Sequence, residues 1–144
     1  QTNRIKPFSV LHLGLAVDSP SGLSVPVIRD AGDKSLATLA DEVESLKNAV
    51  VNQAVKPEQL MGATISLSNF GSLCGKYANP IVVPPCVAII GAGRYRNVAV
   101  VDENKTVNAA RSLPLSITFD HRVVTGGEAS RFMAAMLEDL KLSE

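Results

Sequence analysis

The alternation of apolar and polar positions divides the chain into short strands and two longer amphipathic segments. Residues 11–19, LHLGLAVDS, alternate apolar and small residues, and residues 23–31, LSVPVIRDA, resume the alternation after the turn sequence DSPSG. Alternation over such short runs is typical of half-buried strands, and a cluster of Asp, Ser, Pro and Gly between two runs is typical of a tight connection. The pattern therefore predicts a hairpin near the beginning of the chain.

Two segments instead repeat apolar residues at spacings of three and four, which is the period of a helix. The first follows Ser35, and its apolar stripe consists of Leu36, Leu39, Val43, Leu46 and Val50. The second is EASRFMAAMLEDLKL, residues 128–142, and its stripe consists of Ala129, Phe132, Met133, Met136, Leu137 and Leu140. Because each stripe occupies one face of its helix, we expect both helices to pack against another layer.

Further strands are predicted between and after these segments. GATISLSNFG, residues 62–71, is rich in Thr, Ile and Ser and brings Ser68 and Asn69 to its end. PPCVAIIGAG, YRNVAVV and ARSLPLSITFD follow as three more candidate strands, with the polar turn DENK before the last. Two helices and about six strands in this order predict an α+β fold, with helices packed on one face of a mixed sheet.

Composition narrows the functional classes. The chain has 144 residues, 46% of them hydrophobic, which is enough for the core of one domain. Lys plus Arg and Asp plus Glu both number 14, so no broad positive field attracts nucleic acid or an anionic membrane, and no apolar run has the length of a bilayer span. Cys74 and Cys86 fit neither a redox nor a zinc spacing, which predicts ordinary thiols in a reducing compartment.

A possible nucleotide motif in VAIIGAGRYRN does not fit a dinucleotide-binding turn. Gly91 and Gly93 follow a predicted strand, but Arg96 stands where a third glycine is expected, and a further strand follows instead of a helix. Without a helix N-terminus there is no amide cluster to bind a pyrophosphate. The two glycines are better explained by a backbone bend or by the close approach of a ligand.

The segment FDHRVVTGGEASRF, residues 119–132, carries the strongest candidate chemistry. Thr125 and Glu128 form a capping-box pattern, in which the Thr hydroxyl accepts from amide 128 and the Glu carboxylate accepts from amide 125. Gly126 and Gly127 are poor helix formers, so we expect unusual backbone angles or a close contact there. His121, at a strand end, suits a general base because imidazole titrates near neutral pH, but spacing alone favours a hydrogen-bonded structural histidine. We expect His12, which lies within a strand, to be structural.

The order of motifs resembles the catalytic domain of dihydrolipoamide acyltransferases, the core components of 2-oxo acid dehydrogenase complexes. The resemblance rests on GLAVDSPSGLSVPVIRDA, ISLSNFG, NPIVVPPCVAIIGAG and LPLSITFDHR, together with the amphipathic helix and the glycine-rich helix start. It covers essentially the whole chain. It implies a chloramphenicol acetyltransferase-like fold, with active sites between the subunits of a homotrimer. It also implies that residues 1–144 are the C-terminal part of one catalytic domain, without a lipoyl or subunit-binding domain.

The resemblance implies transfer of an acyl group between a dihydrolipoyl thiol and coenzyme A, with no metal. Its catalytic positions fall on His121 as the base, Ser68 as the donor to the oxyanion, and Thr125. Coenzyme A contacts carry over to Asp18, Ser68, Asn69 and Gly93. The family pattern has an Asp where this chain has Thr125, so we expect altered or reduced activity.

Partners and alternatives follow from the same resemblance. The implied partners are a larger core built from trimers, the decarboxylase and dihydrolipoamide dehydrogenase components, and a lipoyl domain on another segment. The implied location is the bacterial cytoplasm, with the mitochondrial matrix as the alternative. A non-catalytic core subunit and a stand-alone chloramphenicol-type acetyltransferase remain open, as do the acyl group and the choice between a cubic and an icosahedral core.

Overall fold

The computed structural model describes residue 5 and residues 7–73 and 75–141. Two short 3-10 turns, Ala31–Asp33 and Pro57–Leu60, join longer elements. In chain order, the strands and helices are β1 (Leu13–Ser19), β2 (Gly22–Ser24), β3 (Val27–Ile28), α1 (Leu36–Val51), β4 (Ile65–Asn69), β5 (Ala88–Ala92), β6 (Arg96–Val101), β7 (Val107–Ser112), β8 (Leu115–Phe119) and α2 (Gly126–Lys141).

The strands form one mixed sheet and a separate two-stranded ribbon. The sheet runs in the order β2, β1, β4, β5, β8, and β3 pairs with β1 beside β2. Strands β1, β4 and β5 are parallel to one another, whereas β2, β3 and β8 are antiparallel to their neighbours. Strands β6 and β7 pair only with each other. A mixed sheet with two long helices confirms the predicted α+β class.

Helix α1 supplies the core on β1 and β3. Ser35 begins it as an N-cap, and its hydroxyl accepts a hydrogen bond from the Thr38 amide at 3.2 Å. Val50 packs with Leu15 and Val17 of β1, while Leu46 packs with Ile28, which is only 1% exposed. The predicted stripe is wrong at one position. Leu36 is 84% exposed because it opens the first turn, beyond the part of α1 that meets the sheet.

Two predicted strands are each divided by a proline. Residues 23–31 form β2 and β3, which are separated at Val25 and Pro26. Residues 110–120 divide at Pro114, so that the first part pairs with β6 and the second with β5. Proline has no N–H for a ladder hydrogen bond, but its carbonyl still accepts. Leu15 N donates to Pro26 O at 2.8 Å, and Gly93 N donates to Pro114 O at 2.9 Å.

Helix α2 packs more loosely than its apolar stripe predicts. Ala129 is its one buried residue, and Met133 and Met136 are half-buried. The predicted burial is wrong for three members of the stripe, which α2 leaves exposed because it lies against little beyond β8 in the described residues: Phe132, Leu137 and Leu140. Within the part of the chain that the structure describes, neither helix has the length and apolar character needed to cross a membrane.

Candidate active site

Four of the predicted site residues gather at one edge of the sheet. The parallel strands β1, β4 and β5 all end there, since Ala16 lies opposite Ser68 and Ser68 lies opposite Gly91. Asp18 is near the end of β1, Ser68 and Asn69 end β4, and Gly93 directly follows β5. We call this the carboxyl edge. Carboxyl ends of parallel strands form a common edge where ligands bind in open α/β sheets.

Close backbone approach holds the carboxyl edge together. A Cβ at Gly93 would lie 2.4 Å from the Lys76 carbonyl oxygen, and one at Gly71 would lie 2.4 Å from the Gly93 backbone. A Cβ at Gly91 would lie 2.7 Å from Ser116 Oγ. The glycines therefore have a packing reason to be present. Because the Gly93 N–H already donates to Pro114, a ligand at Gly93 has only the carbonyl and van der Waals contact available.

Arg94 braces the loop that follows β4, a role that the sequence did not indicate. Its Nε donates to Gly71 O at 2.8 Å, and its Nη2 donates to Ser72 O at 3.1 Å and to Leu73 O at 3.0 Å. The Gly71 amide in turn donates to Asn69 Oδ1 at 3.2 Å. The only sign of these contacts in the sequence is that Arg94, a cation, lies in a turn and has no acidic residue next to it in the chain. The guanidinium thus connects the loop after β4 to the connection between β5 and β6.

His121 lies beyond the other edge of the sheet, in the turn that joins β8 to α2. Asp120 N donates to Val87 O at 2.8 Å, and Asp120 O accepts from Val123 N and Val124 N, both at 3.0 Å. The His121 side chain is exposed, and its ring centroid lies 5.5 Å from that of Phe119. No other described residue hydrogen-bonds the imidazole, so it is available to an incoming group.

An ion pair flanks the histidine on both sides in sequence. Arg122 Nη2 lies 2.6 Å from Asp120 Oδ2, and Arg122 Nε lies 2.9 Å from Oδ1. The side-chain hydrogen bond from Arg122, followed by the one from its backbone N–H, lowers the pKa of Asp120 to about 2. The same contact raises the pKa of Arg122. Asp120 is therefore committed to Arg122 and does not orient the imidazole.

The predicted capping box is confirmed at the start of α2. Thr125 N donates to Glu128 Oε2 at 2.8 Å, and Glu128 N donates to Thr125 Oγ1 at 3.3 Å. The Thr125 hydroxyl also donates to Glu128 Oε2 at 2.7 Å, and these bonds from Thr125, backbone first, lower the pKa of Glu128. Thr125 thus contacts Glu128 and caps the start of α2.

Of the two expectations for Gly126 and Gly127, unusual backbone angles are excluded because neither has a positive φ, and close contact with another chain or a ligand stays a prediction. A Cβ at Gly126 would meet nothing within 4 Å, and one at Gly127 would meet only the flexible Arg131 guanidinium. Within this chain, therefore, neither glycine is required by steric contact with backbone.

The two principal candidates are far apart within one chain. Ser68 lies opposite Gly91, Gly91 lies opposite Ser116, and β8 must continue past Phe119 before His121 is reached. At about 3.3 Å per strand residue and about 4.8 Å between strands, this register separates Ser68 and His121 by roughly 14 Å or more. A single chain does not bring both side chains to one reacting carbonyl.

The remaining histidine and the described cysteine have structural surroundings. His12 Nδ1 accepts from Asp30 N at 3.0 Å, and His12 N donates to Thr64 Oγ1 at 3.0 Å. Cys86 is buried and not disulfide-bonded, with its Sγ 3.3 Å from Ala63 O. Cys74 lies outside the described residues. Across residues 7–73 and 75–141, no three potential metal-ligating side chains cluster together.

Sequence comparison identifies a family. The model of the 2-oxoacid dehydrogenases acyltransferase catalytic domain matches residues 1–142. The chain is 36% identical, over 97% of its length, to the dihydrolipoyllysine-residue acetyltransferase component of the pyruvate dehydrogenase complex of Mycobacterium bovis. It is 39% identical, over 91% of its length, to the protein of that name from Pseudomonas aeruginosa. It spans only 26% and 24% of these curated relatives.

Solved structures agree with this family and with the predicted fold. The Azotobacter vinelandii dihydrolipoamide acetyltransferase superposes with a TM-score of 0.88 at 35% identity, over 93% of this chain and 55% of that one. The cubic core of the pyruvate dehydrogenase multienzyme complex superposes with a TM-score of 0.84 at 37% identity, over 88% of this chain and 52% of that one. For the Azotobacter protein, a serine, a histidine and an asparagine were investigated for their role in the catalytic mechanism.

Proposed function

Because the chain belongs to the family of 2-oxoacid dehydrogenase acyltransferase catalytic domains, we propose that it forms the C-terminal part of one such domain. In this role it transfers an acyl group between a dihydrolipoyl thioester and coenzyme A. The observation that carries the proposal is the family match over residues 1–142. The names of the relatives support acetyl as the acyl group and bacterial cytoplasm as the location, since those relatives are bacterial pyruvate dehydrogenase components.

His121 acts as the general base in the proposed mechanism. A thiol with a pKa of about 8.5 is mostly protonated at neutral pH, and only the thiolate attacks a thioester efficiently. Nε2 or Nδ1 of the exposed imidazole removes the proton of the coenzyme A thiol as sulfur attacks the carbonyl carbon. When the tetrahedral intermediate collapses, the same imidazolium returns the proton to the departing dihydrolipoyl sulfur. Such proton transfer contributes on the order of 10² to 10⁴ in rate.

Ser68 donates a hydrogen bond to the oxyanion from a neighbouring copy of the chain. The separation of roughly 14 Å or more between Ser68 and His121 within one chain supports a site shared by two subunits. The serine studied in the Azotobacter protein precedes its histidine at almost the same sequence separation as Ser68 precedes His121. One preorganised donor to an oxyanion contributes roughly 10² to 10³ in rate.

Thr125 is a positioning residue for the histidine turn. The asparagine studied in the Azotobacter protein follows its histidine at the spacing at which Thr125 follows His121, which supports a role for this position. Through Glu128, Thr125 fixes the start of α2 and hence the turn that carries His121. We expect activity that is reduced or differently tuned and not abolished.

The assembly completes the proposal. The chain forms a homotrimer within a larger core, which receives acyl groups from a lipoyl domain and works beside the decarboxylase and dihydrolipoamide dehydrogenase components. The cubic multienzyme core among its structural neighbours supports a cubic arrangement. Light scattering on the chain is the first measurement, because a site between subunits does not exist in a monomer.

The decisive experiment compares His121→Ala with His12→Ala in a coenzyme A-dependent acetyl-transfer assay. We expect His121→Ala to lower kcat by about 10² to 10⁴ with an unchanged melting temperature, because the exposed imidazole makes no structural hydrogen bond. His12→Ala is the matched control. It removes the acceptor for Asp30 N and lowers stability, but it leaves kcat within a small factor of the parent value.

Mixed assemblies test the shared site directly. Neither His121→Ala nor Ser68→Ala assemblies contain an intact site. In an equal mixture of the two chains, about a quarter of the inter-subunit sites combine an intact His121 with an intact Ser68. Recovery of activity on mixing supports the proposal. Full activity in homogeneous His121→Ala assemblies would refute the role of His121, whereas absence of acyl transfer in the parent assembly would favour a non-catalytic core subunit.

A further inference from the structure

Among the described residues, only Phe119 makes an aromatic contact with the imidazole of His121. The two ring centroids are 5.5 Å apart, and the ring planes are tilted by 42°. Aromatic pairs in proteins favour centroid separations of about 4.5–7 Å in offset or tilted arrangements, so the two rings attract each other. Asp120, which lies between them in sequence, directs its carboxylate to Arg122. The ring of Phe119 is therefore the group that restrains the imidazole.

The backbone around Phe119 fixes the position of its ring. Phe119 is the last residue of β8 and lies opposite Ala88 of β5 in the ladder. Directly after it, Asp120 N donates to Val87 O at 2.8 Å, which holds the chain against the start of β5. Phe119 is half-buried, whereas His121 is exposed. An exposed imidazole thus lies against a ring that belongs to the sheet.

An aromatic contact restrains an imidazole without engaging its nitrogens. A hydrogen bond to Nδ1 or Nε2 would also orient the ring, but it would occupy one of the two atoms that can move a proton. An exposed histidine without restraint samples several rotamers, and each rotamer that points away from the reacting thiol lowers the fraction of sites ready for proton transfer. Contact with Phe119 reduces this loss and leaves both nitrogens open.

We propose that Phe119 is a positioning residue, which holds the imidazole of His121 ready to accept the thiol proton. The inference rests on the proposed acyl transfer and adds to it a residue that acts through His121. Phe119 lies opposite Ala88 at the start of β5, whereas the carboxyl edge lies at the other end of that strand, beyond Ala92. We therefore expect Phe119 to affect the rate of proton transfer and not substrate binding at the carboxyl edge.

The kinetic test compares three variants in the acetyl-transfer assay with coenzyme A. Phe119→Leu removes the ring but keeps an apolar side chain at the end of β8. We expect it to lower kcat by about 2- to 10-fold, the range that corresponds to loss of one aromatic pair, with KM for both substrates unchanged. Phe119→Tyr keeps the ring and restores kcat. Phe132→Leu is the matched control, because it removes an exposed ring from α2 and leaves kcat at the parent value.

Nuclear magnetic resonance on the chain labelled with ¹³C in histidine and phenylalanine tests the contact apart from activity. The chain has only two histidines, so the imidazole signal that persists in His12→Ala belongs to His121. We expect a nuclear Overhauser effect between the rings of Phe119 and His121. We also expect the His121 Cε1 proton signal to move in Phe119→Leu, where the ring current is lost, and to stay in place in Phe132→Leu.

Parent kcat in Phe119→Leu would overturn the role of Phe119, while loss of activity in His121→Ala would still uphold the base. An equal fall in kcat for the Leu and Tyr variants at position 119 would also overturn it, as would a raised KM with unchanged kcat. An unmoved His121 signal in Phe119→Leu would contradict the ring contact itself. Absence of acyl transfer in the parent would overturn this inference and the proposed function together.

Discussion

The two edges of the sheet are built in different ways. The carboxyl edge is held by backbone: glycines at van der Waals limits and carbonyls bonded to Arg94. The histidine turn has backbone hydrogen bonds at Asp120 only, and its side-chain pairs, Asp120 with Arg122 and Thr125 with Glu128, have at least one exposed partner each. Exposed pairs contribute little stability and relax easily, whereas close-packed backbone does not. We infer that the edge proposed to bind substrate is rigid, while the turn that carries the proposed base adapts.

The largest effect is expected when a glycine is replaced by alanine at the carboxyl edge and, for comparison, at the start of α2. Gly93→Ala places a Cβ 2.4 Å from the Lys76 carbonyl, and we expect a loss of about 1–3 kcal/mol in unfolding free energy. Gly126→Ala meets nothing within 4 Å in the first turn of α2, and we expect a gain of up to about 1 kcal/mol. Urea denaturation of both variants measures the difference. Equal stability for the Gly93→Ala variant and the parent would show that the carboxyl edge is not rigid.

A smaller effect is expected at Thr125. Thr125→Asp supplies the carboxylate of the family pattern but removes the hydroxyl that donates to Glu128 and places two carboxylates together. We expect a small fall in melting temperature and a gain in acyl transfer of less than about tenfold, since His121 is already in place. Thr125→Asn, which can still donate, keeps the parent melting temperature. A gain of several orders of magnitude would show that the turn needs a carboxylate to position the base.

The smallest expected effect is on the melting temperature at acidic pH. Asp120 has its pKa lowered to about 2 by Arg122, so its contribution to stability is complete above its ordinary pKa of 3.8 and is lost as pH falls through about 2. We expect a slight additional decline in melting temperature over this interval that Asp120→Asn lacks. Melting curves of both proteins at decreasing pH measure it. Parallel curves would show that the ion pair contributes nothing measurable.

Sequence patterns predicted what local physics determines. Helix α1 after Ser35, the capping box of Thr125 and the strand that delivers Ser68 follow from periodicity and side-chain chemistry within a few residues. The positions of Ser68 and His121 as site residues came from family resemblance, because a strand-end serine and an exposed histidine are common. They remain proposals for this chain.

The predictions were wrong where contacts with distant parts of the chain determine strand pairing or burial. The break at Pro114 depends on which partner strand each half finds, and the exposed stripe of α2 depends on what lies against it. The Arg94 brace involves carbonyls more than twenty residues away in sequence. Periodicity within one segment carries no information about such partners.

Arg94 also fixes the number of residues in the loop after β4. Its bonds to Gly71, Ser72 and Leu73 require three consecutive carbonyls at set positions, and one inserted residue would move them by about 3.3 Å, outside hydrogen-bond range. In the described part of the chain, the connection between β6 and β7 makes local bonds instead, since Asp102 accepts from Asn104, Lys105, Thr106 and Asn108. Epitope tags and fluorescent labels are therefore best inserted at residues 103–105, while the loop after β4 must keep its native number of residues.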